Sequence, residues 1–274
     1  GVPLNATPLV AVIHGGPWGR INSNYSGITQ LLVNRGYSVF EPNFRSSTGY
    51  GLHYMTAGNR EFGKGVVQQD IIDGVHYLLA QGIGDAERLG IVGGSFGGFS
   101  VLNGLAFTPD LFKVGVASVP PAALGISLVK LLNKPGELER DPSMKEMMRI
   151  LASDVDDPAD IKRLYDISPQ AHLAAIKAPL LIMAGADDDR VDINHVKQYS
   201  LQLFNQGKTL SLLIDEDAGH GYGSARAKHA DIYLTELFLS HYLGGALEPL
   251  DDPLVAHYIK RRMLMNSNTA VSVN

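Results

Sequence analysis

The chain has 274 residues, 45% hydrophobic and 19% charged, a length that buries one large core in a single α/β domain. Its formal net charge is −5 and the basic residues are scattered, which excludes the footprint of a nucleic-acid binder and a polybasic membrane patch. It has no cysteine, so a disulfide framework, a thiol nucleophile and a cysteine-based zinc site are excluded as well.

Short apolar runs then alternate with helical patterns. Residues 9–13 are continuously apolar, as a strand buried on both faces should be, and 37–40 reads the same way. Positions 66–81 carry Val67, Ile71, Ile72, Val75, Leu78 and Leu79 at helical spacing. Strands at 89–92 and 114–117 flank a helix at 97–107. An excursion over 121–178 interrupts the rhythm with amphipathic stretches at 124–132 and 144–151. It is too long for a plain connection and fits either a helical cap over a site or extra surface helices. Strands at 180–184 and 210–214 enclose a helix at 194–205, and a helix at 225–243 follows. The alternation predicts an α/β fold with a mostly parallel central sheet and helices on both faces. It occupies 1–245 as one domain. The remainder, 246–274, reads as a C-terminal helix opened by Asp252-Pro253, then a flexible polar tail beyond Met265.

In such sheets chemistry gathers at the carboxyl ends of the strands. Gly93-Gly94-Ser95-Phe96-Gly97-Gly98 sits directly after strand 89–92 and opens a helix, the context of a nucleophile elbow. In a chain with 30 glycines the bland alternative is an incidental serine in a glycine-rich turn. Strand before, helix after and paired glycines on both sides favour Ser95 as a nucleophile. A serine needs a base, and the base an orienting acid. Of nine histidines, His220 alone is flanked by glycines after a strand; His76, His195, His229 and His241 fall in helical patterns and read as surface or packing residues. The acid comes from Gly185-Ala186-Asp187-Asp188-Asp189-Arg190-Val191, also past a strand end. The pattern Gly185-x-x-Asp188-x-x-Val191 favours Asp188, with Asp187 as runner-up. The chain order Ser, Asp, His is that of the α/β-hydrolase fold. Two N–H groups are expected to face the developing oxyanion: Phe96, next to the nucleophile, and Gly16 in His14-Gly15-Gly16-Pro17 after the first strand. His14 itself reads as a packed residue that holds this loop. Neither a metal nor a cofactor is expected.

Together these motifs resemble the catalytic domain of the prolyl oligopeptidase family of serine peptidases, nearest its acylaminoacyl-peptidase and dipeptidyl-peptidase-like branch. The resemblance spans about 14–243 and also draws on Asn43-Phe44-Arg45-Ser46-Ser47-Thr48-Gly49-Tyr50-Gly51, where Ser46 replaces a usual glycine. Phe96 likewise stands where the family often has tyrosine. The resemblance implies hydrolysis of short peptides or acylated amino acids through an acyl-enzyme, supports Asp188 as the acid, and puts Arg190 on a substrate carbonyl. The family's N-terminal β-propeller has no counterpart in these residues, so the chain reads as an excised catalytic domain or a free-standing hydrolase. A carboxylesterase acting on small acyl esters with the same triad is the alternative function, and a silent hydrolase fold used for binding is a third. The expected partners are a peptide or small acyl substrate, and a missing propeller or a second copy of the chain, with no nucleic acid and no membrane. The expected compartment is the cytoplasm; periplasm and secretion stay open, because an upstream segment would carry any targeting signal.

Overall fold

The computed structural model describes residues 2–132 and 143–268. Its strands are β1 (Leu9–Ile13), β2 (Ser38–Phe40), β3 (Leu89–Gly94), β4 (Val114–Ser118), β5 (Leu180–Gly185), β6 (Leu210–Asp215) and β7 (Met263–Asn266). They form one seven-stranded sheet in the order β2-β1-β3-β4-β5-β6-β7. Every neighbouring pair is parallel except β6 and β7, which run antiparallel. The six strands expected from the apolar runs are all present, and the sheet is mostly parallel.

Ten α-helices accompany it among the described residues: α1 (Gly27–Asn34), α2 (Leu52–Thr56), α3 (Val66–Ala80), α4 (Phe96–Phe107), α5 (Leu124–Leu132), α6 (Ser143–Leu151), α7 (Pro158–Asp166), α8 (Ile193–Asn205), α9 (Ala225–Leu243) and α10 (Pro253–Arg262). Side chains alternate between the faces of a strand, so each strand feeds two cores. Leu9, Ala11 and Ile13, with Leu89 and Ile91 and Leu180 and Ile182, pack with Ile71 and Val75 of α3, Phe99 and Leu102 of α4 and Tyr199 of α8. Val10, Val114, Val116, Leu181 and Met183 point the other way, onto Leu32 of α1, Leu234 and Phe238 of α9 and Ile259 of α10. Each fully buried Leu or Phe in these layers contributes about 1.5–3 kcal/mol, and the two layers hold the sheet between helices on both faces.

The excursion is tied down near the sheet edge by charge. Arg60 donates to Asp160 of α7 at 2.6 Å and to the Arg149 carbonyl of α6 at 2.9 Å, while Arg163 donates to Asp160 at 2.7 Å. Burial alone would raise Asp160, but the Asp154 N–H and the two guanidinium groups hold its carboxyl far below the usual range. The stretch 133–142 of the excursion lies outside the described residues. Strand β7 was not expected. Its four residues alternate between half-buried and exposed, and the run is too short to stand out. It leads on to Asn268, which is buried and accepts a hydrogen bond from the Tyr242 hydroxyl, so order extends past Met265. Positions 269–274, where the flexible tail was expected, lie outside the described residues.

Candidate active site

The turn between β3 and α4 is shaped by close approach. Ser95 has φ 56° and ψ −121°, a left-handed backbone that side chains other than glycine rarely adopt. A Cβ on Gly97 would lie 2.1 Å from the Ile13 carbonyl oxygen, and one on Gly93 would lie 2.5 Å from Gly97. The glycines therefore let strand, turn and helix pack closely enough to project Ser95 above the sheet. The Ser95 N–H donates to the Ser118 carbonyl at 2.9 Å, which fixes the turn to the end of β4.

His220 and Asp188 arrive on the loops after β6 and β5. These loops are joined by Ala186 N–H to the Asp215 carbonyl at 2.8 Å and Asp187 N–H to the Ala218 carbonyl at 3.0 Å. Gly185 permits the approach, since a Cβ there would meet the Gly219 carbonyl oxygen at 2.2 Å. His220 Nδ1 lies 2.8 Å from Asp188 Oδ2, and its Nε2 lies 2.8 Å from Ser95 Oγ. A carboxylate accepts, so Nδ1 carries the proton and Nε2 is left to accept from the Ser95 hydroxyl. Asp188 Oδ1 also accepts from the N–H groups of Arg190 at 2.8 Å and Val191 at 2.9 Å. Its side chain is only 3% exposed. Burial alone would raise its pKa, but the His220 imidazole and the two N–H donors outweigh it and hold the carboxyl below the ordinary value. The runner-up, Asp187, is exposed and has no hydrogen bond to His220 among the described residues.

Gly16 and Phe96 border an apolar cavity of about 350 Å³ that opens onto Ser95 and His220. Trp18, Phe62, Leu124, Leu128 and Met148 form its apolar walls, and Asp189, Arg190 and Val191 complete it. The excursion thus supplies one wall. Phe96 opens α4, where a first-turn N–H has no partner within the helix. Arg190 is exposed and has no carboxylate partner among the described residues. His14 packs as expected: it stacks on Phe44 at 4.3 Å, with Nδ1 2.8 Å from the Gly15 carbonyl and Nε2 2.9 Å from Ser47 Oγ. Burial lowers its pKa. Ser46, the departure from the family's glycine, has φ 92°, in the region glycine favours. One contributor escaped the sequence. Lys130 of α5 donates to the backbone carbonyls of Asp188 at 2.8 Å and Val191 at 3.1 Å, joining the excursion to the acid-bearing loop. A lysine on an amphipathic helix gives no sign of such a contact. Among the described residues no His, Asp and Glu side chains cluster to hold a metal ion, and no helix is long and apolar enough to cross a membrane.

Comparison with known proteins gives this geometry a family. The chain is 37% identical over 246 residues to dipeptidyl aminopeptidase BIII of Pseudoxanthomonas mexicana, covering 89% of this chain and 34% of the relative. It is 33% identical over 248 residues to dipeptidyl peptidase family member 6 of Caenorhabditis elegans, covering 90% and 33%. It therefore spans about a third of the length of these relatives. Among solved structures, a puromycin-hydrolyzing peptidase of Mycobacterium tuberculosis superposes with a TM-score of 0.77 at 25% identity, over 89% of this chain and 36% of that one. The acylaminoacyl peptidase of Pyrococcus horikoshii shares the fold, with a TM-score of 0.76 at 24% identity over 91% and 39%. The model of the prolyl oligopeptidase family matches residues 23–246, and the chain, an α/β hydrolase in fold, belongs to that family of serine peptidases.

Proposed function

We propose that this chain is the catalytic portion of a serine peptidase that cleaves short peptides or acylated amino acids through an acyl-enzyme. One observation carries the reading: the unbroken hydrogen-bonded chain from Asp188 through His220 to Ser95, with both links at 2.8 Å. Ser95 Oγ attacks the scissile carbonyl carbon while its proton passes to His220 Nε2. Asp188 keeps Nδ1 protonated and stabilises the imidazolium that forms. The carbonyl oxygen becomes an oxyanion facing the N–H groups of Gly16 and Phe96. His220 then gives its proton to the leaving amine, the C–N bond breaks, and an ester to Ser95 remains. Water, deprotonated by the same Nε2, attacks that ester, and the acid is released as the proton passes from Nε2 to Ser95 Oγ.

The apolar cavity suits the acyl side of the substrate, and Arg190 at its rim suits a substrate carbonyl oxygen. Relatives named as a dipeptidyl aminopeptidase and as acylamino-acid-releasing enzymes support a peptide or acyl-amino-acid substrate. The test is a paired assay on an aminoacyl p-nitroanilide and a p-nitrophenyl ester, with fluorophosphonate labelling as an active-site count. Amide turnover that disappears with Ser95 labelling is expected. Ester turnover with no amide cleavage would overturn the peptidase reading in favour of an esterase.

A further inference from the structure

Ser95 and His220 also line a second cavity, of about 270 Å³. Among the described residues they are the only ones it shares with the apolar one. The two cavities lie on opposite sides of the sheet edge. Trp18, Phe62 and Phe96 of the apolar cavity belong to the core layer beneath α4, whereas Met183 and Leu213 of the second belong to the layer beneath α9. A substrate attacked at Ser95 Oγ extends to both sides of its scissile bond, so two cavities meeting at that atom offer room for both halves.

Two observations give the second cavity a chemistry. The first is Gly94, which lines it. A Cβ there would meet only Ser118, at 3.8 Å from its carbonyl oxygen and 4.0 Å from its Cβ, which is ordinary contact. Gly94 is not among the glycines with positive φ. Unlike Gly93 and Gly97, it is demanded by neither strain nor space, and any larger side chain would grow into the cavity. The second is Asp231, on α9. Its Oδ1 accepts from Ser118 Oγ and its Oδ2 from the Tyr222 hydroxyl, both at 3.0 Å. No cation among the described residues pairs with it. Asp215, the other carboxylate lining the cavity, lies 3.8 Å from the Arg262 guanidinium. Tyr222, Tyr258 and His220 are the remaining titratable groups of the lining. Asp231 is half-buried and held only by hydroxyls, so no positive partner offsets its partial desolvation, and that desolvation raises its pKa. An ammonium or guanidinium group in the cavity would supply that partner.

We propose that this cavity receives the leaving half of the substrate and selects a basic side chain there, with Asp231 as the group that recognises the cation. The inference rests on the reading of Ser95 as the acylating nucleophile. It is tested with a peptide series whose acyl half is fixed as that of a cleaved p-nitroanilide. The first leaving residue is Lys, Arg, Leu or Glu, and a simple carboxamide serves as the reference that leaves only ammonia. The expected kcat/KM is at least about tenfold higher for Lys and Arg than for Leu, with Glu lowest, a tenfold ratio being about 1.4 kcal/mol. In Asp231→Asn the Lys-to-Leu ratio falls to about one. In Gly94→Leu, which adds bulk to the cavity and keeps Asp231, the ratio of the Lys peptide to the carboxamide falls at least about tenfold. Fluorophosphonate labelling of Ser95 shows that each variant has kept its site, and either variant suffices if the other fails to fold. Equal rates for Lys, Leu and Glu in the wild-type protein would overturn the inference while leaving the peptidase reading intact. Failure of the p-nitroanilide itself to turn over would instead overturn the peptidase reading.

Discussion

The loops after β1 and β6 each present a histidine whose Nδ1 faces an oxygen acceptor and whose Nε2 faces a serine hydroxyl. For His14 the partners are the Gly15 carbonyl and Ser47; for His220 they are Asp188 and Ser95. Heavy-atom distances differ by no more than 0.1 Å between the two sets, which run from 2.8 to 2.9 Å. What separates them is the third group and the hydroxyl's surroundings. A carbonyl fixes a tautomer but offers no full charge to an imidazolium, and burial pushes His14 further toward the neutral form. Ser47 is wholly buried, out of reach of any substrate. At His220 the orienting group is a carboxylate, and Ser95 borders two cavities. A serine–histidine contact is thus only half of a nucleophile; the charge behind the ring and the space before the hydroxyl complete it.

The contrast can be broken in several ways. Ser95→Ala and His220→Gln should each lower kcat by about 10⁴-fold or more, as removal of members of such triads does; steady-state rates on an amide substrate check this. Asp188→Asn should cost about 10³–10⁴-fold, because the ring loses its fixed tautomer, whereas Asp187→Asn should stay within about threefold. The reverse ranking would move the acid to Asp187. His14→Gln should reduce stability by about 1–2 kcal/mol through lost packing and a lost buried hydrogen bond, read from urea denaturation, and change kcat less than tenfold. A rate loss matching that of His220→Gln would erase the distinction between the two histidines.

The smallest effect is on pH. In the proposed mechanism the base must be free to accept the Ser95 proton, so kcat/KM is expected to fall on the acid side. His14 responds differently. The unfolded chain protonates it near its ordinary value of 6.5 while the folded chain resists. The unfolded state therefore binds more protons below that pH, and stability is lost as pH falls. Asp188, held below its ordinary value, keeps its contribution until stronger acid. Denaturation midpoints at pH 7.5 and 5.5 should differ, and the difference should shrink in His14→Gln.

Much of the candidate site's geometry was legible because its backbone demands leave marks in the sequence. Gly93 and Gly97 are dictated by close approach, His220 is framed by glycines in a loop after a strand, and Asp188 sits at a fixed offset from Gly185. The helices were unevenly legible. Asp252-Pro253 announces α10, and Asp157-Pro158 opens α7 by the same means, each Asp side chain accepting an N–H two residues on. The second signal is masked because α7 is mostly polar. Helix α2 is only five residues long, and α1 buries Leu32 alone, so neither writes a periodic stripe. Contacts made by long side chains across the fold, such as Arg60 with Asp160 or Lys130 with the acid-bearing loop, depend on tertiary placement that no spacing encodes.

Lys130 has a consequence for anyone redesigning this protein. Its ammonium spans the segment that walls the apolar cavity and the loop that aims Asp188. The excursion is therefore not an interchangeable module. A graft from a relative chosen for its pocket would also remove the lysine that ties this segment to the loop carrying Asp188, and the transplanted segment would need a donor of equal reach to keep that tie.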